Sequence, residues 1–273
     1  MNWKEPSHDY LFLSLPQLSD KQNVIVDPIL EQEISTKVGV DEPFLEVWGN
    51  GPEGGSPAQI SHAIYTLSKV CCRLIKSGRH NIKVTEKSSP DDLVTNMDKG
   101  IEMIFRIWIN RFLPDHKIIG EEGFKDTITA SDYVWYIDPV DGTSNFVDGS
   151  DNVTLHINCV YQGKPYCAVV GHPFFDIVYQ GDIESGFNLP TGGVSSRNNL
   201  VVGTEFRDNE LDNALFTAVL EKLDAKPYRV KSMGCNILAV LNGYADVFYK
   251  PGGRYWDILA PLSLIFFPRP DLE

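Results

Sequence analysis

The stretch Asp138-Pro139-Val140-Asp141-Gly142-Thr143-Ser144-Asn145-Phe146 carries more information than any other in this chain. Two carboxylates stand three positions apart, one on each side of a Pro-Val pair, directly after the apolar, strand-like run 133–137. A Gly-Thr pair follows. Proline lacks an N–H and glycine loosens the backbone, so the segment predicts a turn that interrupts helix and strand alike. Such a turn aims two hard oxygen donors and two backbone N–H groups at one place. Carboxylates suit Mg²⁺, and N–H groups at a helix start suit a phosphate. One short segment therefore offers both halves of a metal-dependent phosphate site.

Upstream, Ser56-Pro57 reads as an N-cap with proline at the first helical position. Ile60, Ile64, Leu67, Cys71, Leu74 and Ile75 then keep helical spacing until Gly78. A second helix is expected from near Asp98, with Ile101, Ile104, Phe105, Trp108 and Phe112 on one face and Pro114 as its stop. Strand-like runs follow at 117–120, 133–137, 153–161, 166–170 and 176–180, with turns at Gly163-Lys164-Pro165 and Gly171-His172-Pro173. After Pro190-Thr191-Gly192-Gly193, strands near 200–205, 228–231 and 245–249 alternate with helices near 209–223, 234–241 and from Trp256. The expectation is an α/β protein in three parts. Residues 1–56 form an irregular extension, 57–195 an α+β unit with the carboxylates, and 196–273 an α/β unit.

At 273 residues the chain has ample material for one large or two modest cores. Its formal net charge of −13 and pI near 4.9 argue against binding nucleic acid or an anionic membrane, both of which need basic surface. Five cysteines without a CxxC spacing read as reduced thiols, which predicts a cytoplasmic protein. The longest apolar stretch, 258–267, is broken by Pro261 and too short to span a bilayer.

Acidic residues recur at predicted strand ends and helix starts: Asp98, Glu121 with Glu122, Asp138 with Asp141, and Asp257 after Trp256. Each has an ordinary reading, as a helix cap, an exposed pair or an Asx-turn. In this order and with these neighbours, however, they resemble the inositol monophosphatase family of lithium-sensitive, Mg²⁺-dependent phosphatases. The resemblance covers roughly residues 57–267 and rests on Gly120-Glu121-Glu122, the run from Trp135 to Phe146, Ala245-Asp246 and Trp256-Asp257.

The resemblance implies a layered αβαβα sandwich and hydrolysis of a small phosphate monoester. It assigns Glu121, Asp138 and the Val140 carbonyl to one Mg²⁺ and Asp138, Asp141 and Asp257 to a second, with a third ion near Glu121. Gly142 and Thr143 would give N–H groups to the phosphate, and Asp98 with Thr143 would orient and deprotonate the attacking water. A homodimer is implied too. Such chemistry needs charge neutralisation and alignment more than a protein nucleophile. Two metals about 3.5–4 Å apart supply both. Histidine is not required, and His156 and His172 read as structural or surface residues.

Three departures bear on substrate. Where inositol-selective members carry a glutamate seven residues before the Trp-Asp aspartate, this chain has Lys250, with Arg254 nearby. Ammonium and guanidinium pair with phosphate or carboxylate, so a second anionic group on the substrate is expected. The loop Val147-Asp148-Gly149-Ser150-Asp151-Asn152 is more acidic than usual in the family. The resemblance also implies further strands after Trp-Asp, so the second unit reads as C-terminally shortened. Rival readings are a 3′-phosphonucleotidase, a fructose-1,6-bisphosphatase-type enzyme, or a non-catalytic metal- or phosphate-binding homologue. The pattern Leu93-Val94-Thr95-x-x-Asp98-x-x-x-Glu102 favours the inositol-type branch.

Overall fold

Helix α1 (Pro57–Gly78) opens on a reciprocal cap: the Ser56 hydroxyl accepts from the Gln59 N–H at 3.3 Å and the Gln59 side chain accepts from the Ser56 N–H at 3.2 Å. The computed structural model to which it belongs describes residues 51–52, 54–87, 93–187, 200–204, 210–250 and 253–268. The expected irregular stretch up to residue 50 and the expected boundary near residue 195 lie outside the described residues. Two short antiparallel strands, β1 (Val84–Glu86) and β2 (Leu93–Thr95), follow α1 and were not foreseen. Three residues are too few to show a period. Helix α2 (Asn96–Phe112) starts two residues before the expected position, because Thr95 is the cap and Asp98 the third helical residue that returns its hydrogen bond.

The central sheet holds β3 (Lys117–Gly120), β4 (Tyr133–Asp141), β5 (Thr154–Tyr161), β6 (Lys164–His172) and β7 (Ile177–Asp182) in that spatial order. The first pair is parallel and the other pairs are antiparallel. Strand β4 does not end before Asp138 but continues through Pro139 to Asp141, with its register against β5 shifting between the two aspartates. A bulge relieves Pro139 of a ladder hydrogen bond that it could not donate, and re-aims both carboxylates. The turn falls one residue later. Gly142 has φ 87°, and a Cβ there would lie 3.0 Å from the Asn152 carbonyl, so the position demands glycine. The short helix α3 (Thr143–Val147) follows.

After the central sheet come β8 (Val201–Thr204), α4 (Glu210–Leu223), β9 (Lys226–Tyr228), α5 (Met233–Leu241), β10 (Val247–Tyr249) and α6 (Tyr255–Phe266). The three strands form a parallel sheet in the order β10-β8-β9. Alternation along the central strands divides the core. Trp135, Ile137, Leu155, Ile157, Cys159 and Val169 pack with α1 and α2. Ala168, Val170 and Tyr179 pack with Leu238 of α5 and Ala260 and Leu264 of α6. Helix α5 touches β5 on one side and β8 and β10 on the other, giving the layer order helix, sheet, helix, sheet. All five cysteines are buried free thiols. Among the described residues no helix is long and apolar enough to cross a membrane.

Helix α1 lies so close to β6 that a Cβ on Gly171 would sit 2.4 Å from the Cys72 sulfur. Overpacking of this kind costs roughly 1–3 kcal/mol. Gly171→Ala should therefore destabilise the protein in urea unfolding by about that amount, and much less in a Cys72→Ala background. Equal losses in the two backgrounds would contradict this packing.

Candidate active site

The ends of β3 and β4 and the start of α6 converge. Glu121 directly follows β3, Asp138 lies on β4 and Asp257 is the third residue of α6. One carboxylate oxygen from each of these three lies within 4.8 Å of the others, and they are the one such acidic, cysteine or histidine group among the described residues. Asp138 is fully buried among like charges. Burial, followed by the proximity of Glu121, Asp141 and Asp257, pushes its carboxyl well above the usual range. Burial likewise raises Glu121, against the opposing effect of Lys87, and raises Asp257 to about 6.

Asp98 and Thr143 stand beside this group. The Thr143 hydroxyl lies 3.1 Å from the Asp98 carboxylate and 3.0 Å from the Val140 carbonyl, either of which can take its one proton. Thr95 donates to the other Asp98 oxygen through both its N–H, at 2.8 Å, and its hydroxyl. Asp98 is thus a cap residue and the partner of Thr143 at once. Burial raises its carboxyl, partly offset by the Thr95 hydrogen bonds.

Asp141, expected from the resemblance as a metal ligand, stands close enough for its charge to act on Asp138 and Asp257. Its oxygens accept from the Thr154 hydroxyl at 2.7 Å, the Ser232 hydroxyl at 2.5 Å, and the Met233 and Gly234 N–H groups at 3.1 and 2.8 Å. The first turn of α5 has orphan N–H groups that a buried carboxylate satisfies. Asp141 therefore binds α5 to β4 beside the three residues whose oxygens converge. His156 is fully buried beneath it, 3.0 Å from the Thr154 hydroxyl and 3.3 Å from the Trp256 carbonyl. His172 lies 3.6 Å from the Cys235 sulfur, and burial lowers its imidazole to about 4.

Sequence reasoning missed Lys87. Its ammonium reaches Glu121 at 3.0 Å and Glu122 at 2.7 Å. Burial alone would lower it, but the two glutamates outweigh burial and hold it charged. Nothing in the spacing around Glu86-Lys87 signals this. Glu102, used above only to weigh branches of the family, proves structural: it accepts from the Glu122 N–H at 2.8 Å, and burial raises it to about 7. The first turn of α5 was also missed as part of the site, although Ser232 before an apolar run is a readable cap signal. Lys250 follows β10, where its charge is felt at Asp257, and the Arg254 N–H donates to Asp257 at 3.0 Å.

A layered α/β fold thus places a buried acidic cluster at strand ends with a threonine–aspartate pair beside it. A sequence profile described as the inositol monophosphatase family matches residues 56–265. Inositol monophosphatase 2 of Solanum lycopersicum is 31% identical over 217 residues, which cover 72% of this chain and 80% of the relative. The Nus factor SuhB of Pseudomonas aeruginosa is 31% identical over 198 residues, covering 67% and 72%. Among solved structures, an inositol monophosphatase of Thermotoga maritima superposes with a TM-score of 0.62 at 26% identity, covering 72% of this chain and 78% of that one. An IMPase/NADP phosphatase complexed with Mg²⁺ and phosphate superposes at 0.69 with 22% identity, covering 77% and 82%. The chain belongs to the inositol monophosphatase family, and with it to the phosphatases.

The crowded carboxylates give a direct test. Asp257 near 6, Glu102 near 7 and Glu122 near 9 all lie above their ordinary values of 3.8 or 4.5, so each binds its proton more tightly when folded. Their stabilisation is complete below the ordinary values and is lost as pH rises through the folded values. In metal-free buffer the melting temperature should fall from pH 5 to pH 9, and Mg²⁺ should flatten that fall by binding the ionised form. Parallel melting curves with and without Mg²⁺ would contradict this reading.

Proposed function

We propose that this protein is a Mg²⁺-dependent phosphomonoesterase that acts on inositol monophosphate or a similar small sugar or polyol phosphate. The convergence of Glu121, Asp138 and Asp257 beside the Asp98–Thr143 pair carries the reading. The residues fit Mg²⁺. Every donor is a hard oxygen, and like-charge crowding pushes the carboxyls toward protonation unless positive charge is supplied. Glu121, Asp138 and the Val140 carbonyl would hold one ion and Asp138, Asp141 and Asp257 a second. A third ion would sit near Glu121, where Lys87 now lies.

When bound, the metal supplies Lewis-acid neutralisation of the phosphoryl oxygens and acidifies water at neutral pH. The chain's own residues do the rest. The Gly142 and Thr143 N–H groups receive the phosphate, where α3 begins. The Thr143 hydroxyl, facing Asp98, positions the attacking water and passes its proton toward the Asp98 carboxylate. Thr95 keeps that carboxylate from rotating away.

A second reading concerns the substrate. The charge of Lys250 is felt at Asp257, and a cation there suits a substrate with a second anionic group, such as a sugar bisphosphate or a 3′-phosphonucleotide. A homodimer and a cytoplasmic location fit the acidic composition, the five free thiols and the family.

A panel of phosphomonoesters separates these readings: myo-inositol monophosphates, fructose 1,6-bisphosphate and 3′-phosphoadenosine 5′-phosphate, each with Mg²⁺ and with Li⁺ as inhibitor. Phosphate release should require Mg²⁺ and fall by at least about 10³-fold in Asp138→Asn, in line with the several kcal/mol that metals supply. Lys250→Glu should shift preference from bis-anionic toward inositol substrates. Silence across the whole panel would reject the enzyme reading and leave a metal- or phosphate-binding homologue.

A further inference from the structure

The acidic loop after α3 is fastened by one residue from a distant part of the chain. Arg79 follows α1 immediately, yet its guanidinium reaches some 70 residues ahead. One terminal nitrogen donates to the Asp151 carboxylate at 2.8 Å and lies 3.4 Å from the Gly149 carbonyl, and the other donates to the Ser150 carbonyl. The guanidinium carbon lies 3.4 Å from the ring centroid of Phe174 and 5.3 Å from that of Phe146. Such a planar fork with a delocalised charge can bind two carbonyls and a carboxylate while resting against aromatic rings, which an ammonium cannot do.

What Arg79 fastens is the support of the phosphate turn. Asn145, inside α3, donates to the Asn152 carbonyl at 2.8 Å, and the Ser150 N–H donates back to the Asn145 carbonyl at 2.8 Å. The Asn152 carbonyl in turn lies 3.0 Å from where a Cβ on Gly142 would stand. Loop, α3 and Gly142 thus form one closed unit, tied to the body of the protein by Arg79 on one side and by Thr143 on the other. The loop also carries Asp148 and Asp151, whose charge opposes an incoming phosphate, and Arg79 neutralises Asp151.

We propose that Arg79 is a positioning residue for phosphate binding: it holds the loop at 149–151 so that the Gly142 and Thr143 N–H groups face the phosphoryl group. It touches neither substrate nor the carboxylate cluster. The inference rests on the phosphatase reading for its kinetic part and on phosphate binding alone for the rest. Because the N–H groups serve ground state and transition state alike, their misplacement raises KM more than it lowers kcat.

The test compares wild type with Arg79→Met, which keeps an apolar stem against Phe146 and Phe174, Arg79→Lys, which keeps the charge, and Asp151→Asn, which removes only the side-chain partner. Steady-state kinetics in Mg²⁺ should show KM raised about tenfold in Arg79→Met with kcat changed less than about threefold, and smaller rises in KM in Arg79→Lys and Asp151→Asn. Calorimetric titration with inorganic phosphate in Mg²⁺ should show the same weakening, while Mg²⁺ affinity measured without phosphate stays at the wild-type value.

If Arg79→Met fails to fold, the comparison of Arg79→Lys with wild type decides. Phosphate affinity and KM within twofold of wild type in the folded arginine variants would overturn the inference, whatever happens to the melting temperature. So would equal losses of phosphate and Mg²⁺ affinity. Phosphate binding that weakens in the Arg79 variants, in a protein that releases no phosphate from esters, would reject the catalytic reading and uphold this one.

Discussion

Mutual repulsion among buried carboxylates is the constraint on which the rest of this structure depends. Glu121, Asp138 and Asp257 bring oxygens within 4.8 Å of each other, with Asp141 and Asp98 close behind. Removing such charges from water is costly, and gathering them multiplies that cost. The surrounding chain answers with positive charge and hydrogen-bond donors. Lys87 pairs with Glu121 and Glu122, the first turn of α5 gives two N–H groups to Asp141, and Thr95 gives two donors to Asp98. The bulge in β4 separates Asp138 from Asp141, so that one turns toward the cluster and the other toward α5. Under the proposed function, a divalent cation would complete the balance that these donors begin.

This arrangement also explains why the two halves of the chain are joined at the site. The central sheet supplies Glu121 and Asp138, whereas Asp257 and the α5 turn come from beyond β8. Helices α5 and α6 pack on the face of the central sheet opposite α1 and α2, with Ala168 and Val170 against Leu238, Ala260 and Leu264. That apolar contact holds Asp257 against Asp138. Under the proposed function, substrate selection would fall to residues beside this cluster. Lys250 and Arg254 flank Asp257, while the loop fastened by Arg79 supports Gly142 and Thr143.

Much of this was legible in the residues themselves. The α1 cap, its apolar face and the approximate positions of the central strands along the chain could be read, because hydrophobic periodicity and turn residues mark them locally. The acidic positions could be read because they fall where periodic segments stop. The course of β4 could not, since Pro139 argues locally for a break and only pairing with β5 through a bulge allows the strand to continue. Strands β1 and β2 were too short to show alternation. Lys87, Arg79 and the bonds from α5 to Asp141 were invisible for a different reason: each joins residues 34 or more positions apart, through geometry that no local spacing encodes. The orientation of Asp141 belongs with these, because a turn motif marks the residue but not which way its carboxylate points.

The most direct test of the central claim is calorimetric titration of Mg²⁺ into the wild-type protein and into Asp138→Asn at neutral pH. The account predicts binding to the wild type and its loss in the variant, with the variant at least as stable as the wild type in the absence of metal, because one of the repelling charges is gone. Equal Mg²⁺ affinity in the two proteins, or a metal-free variant less stable than the wild type, would contradict it.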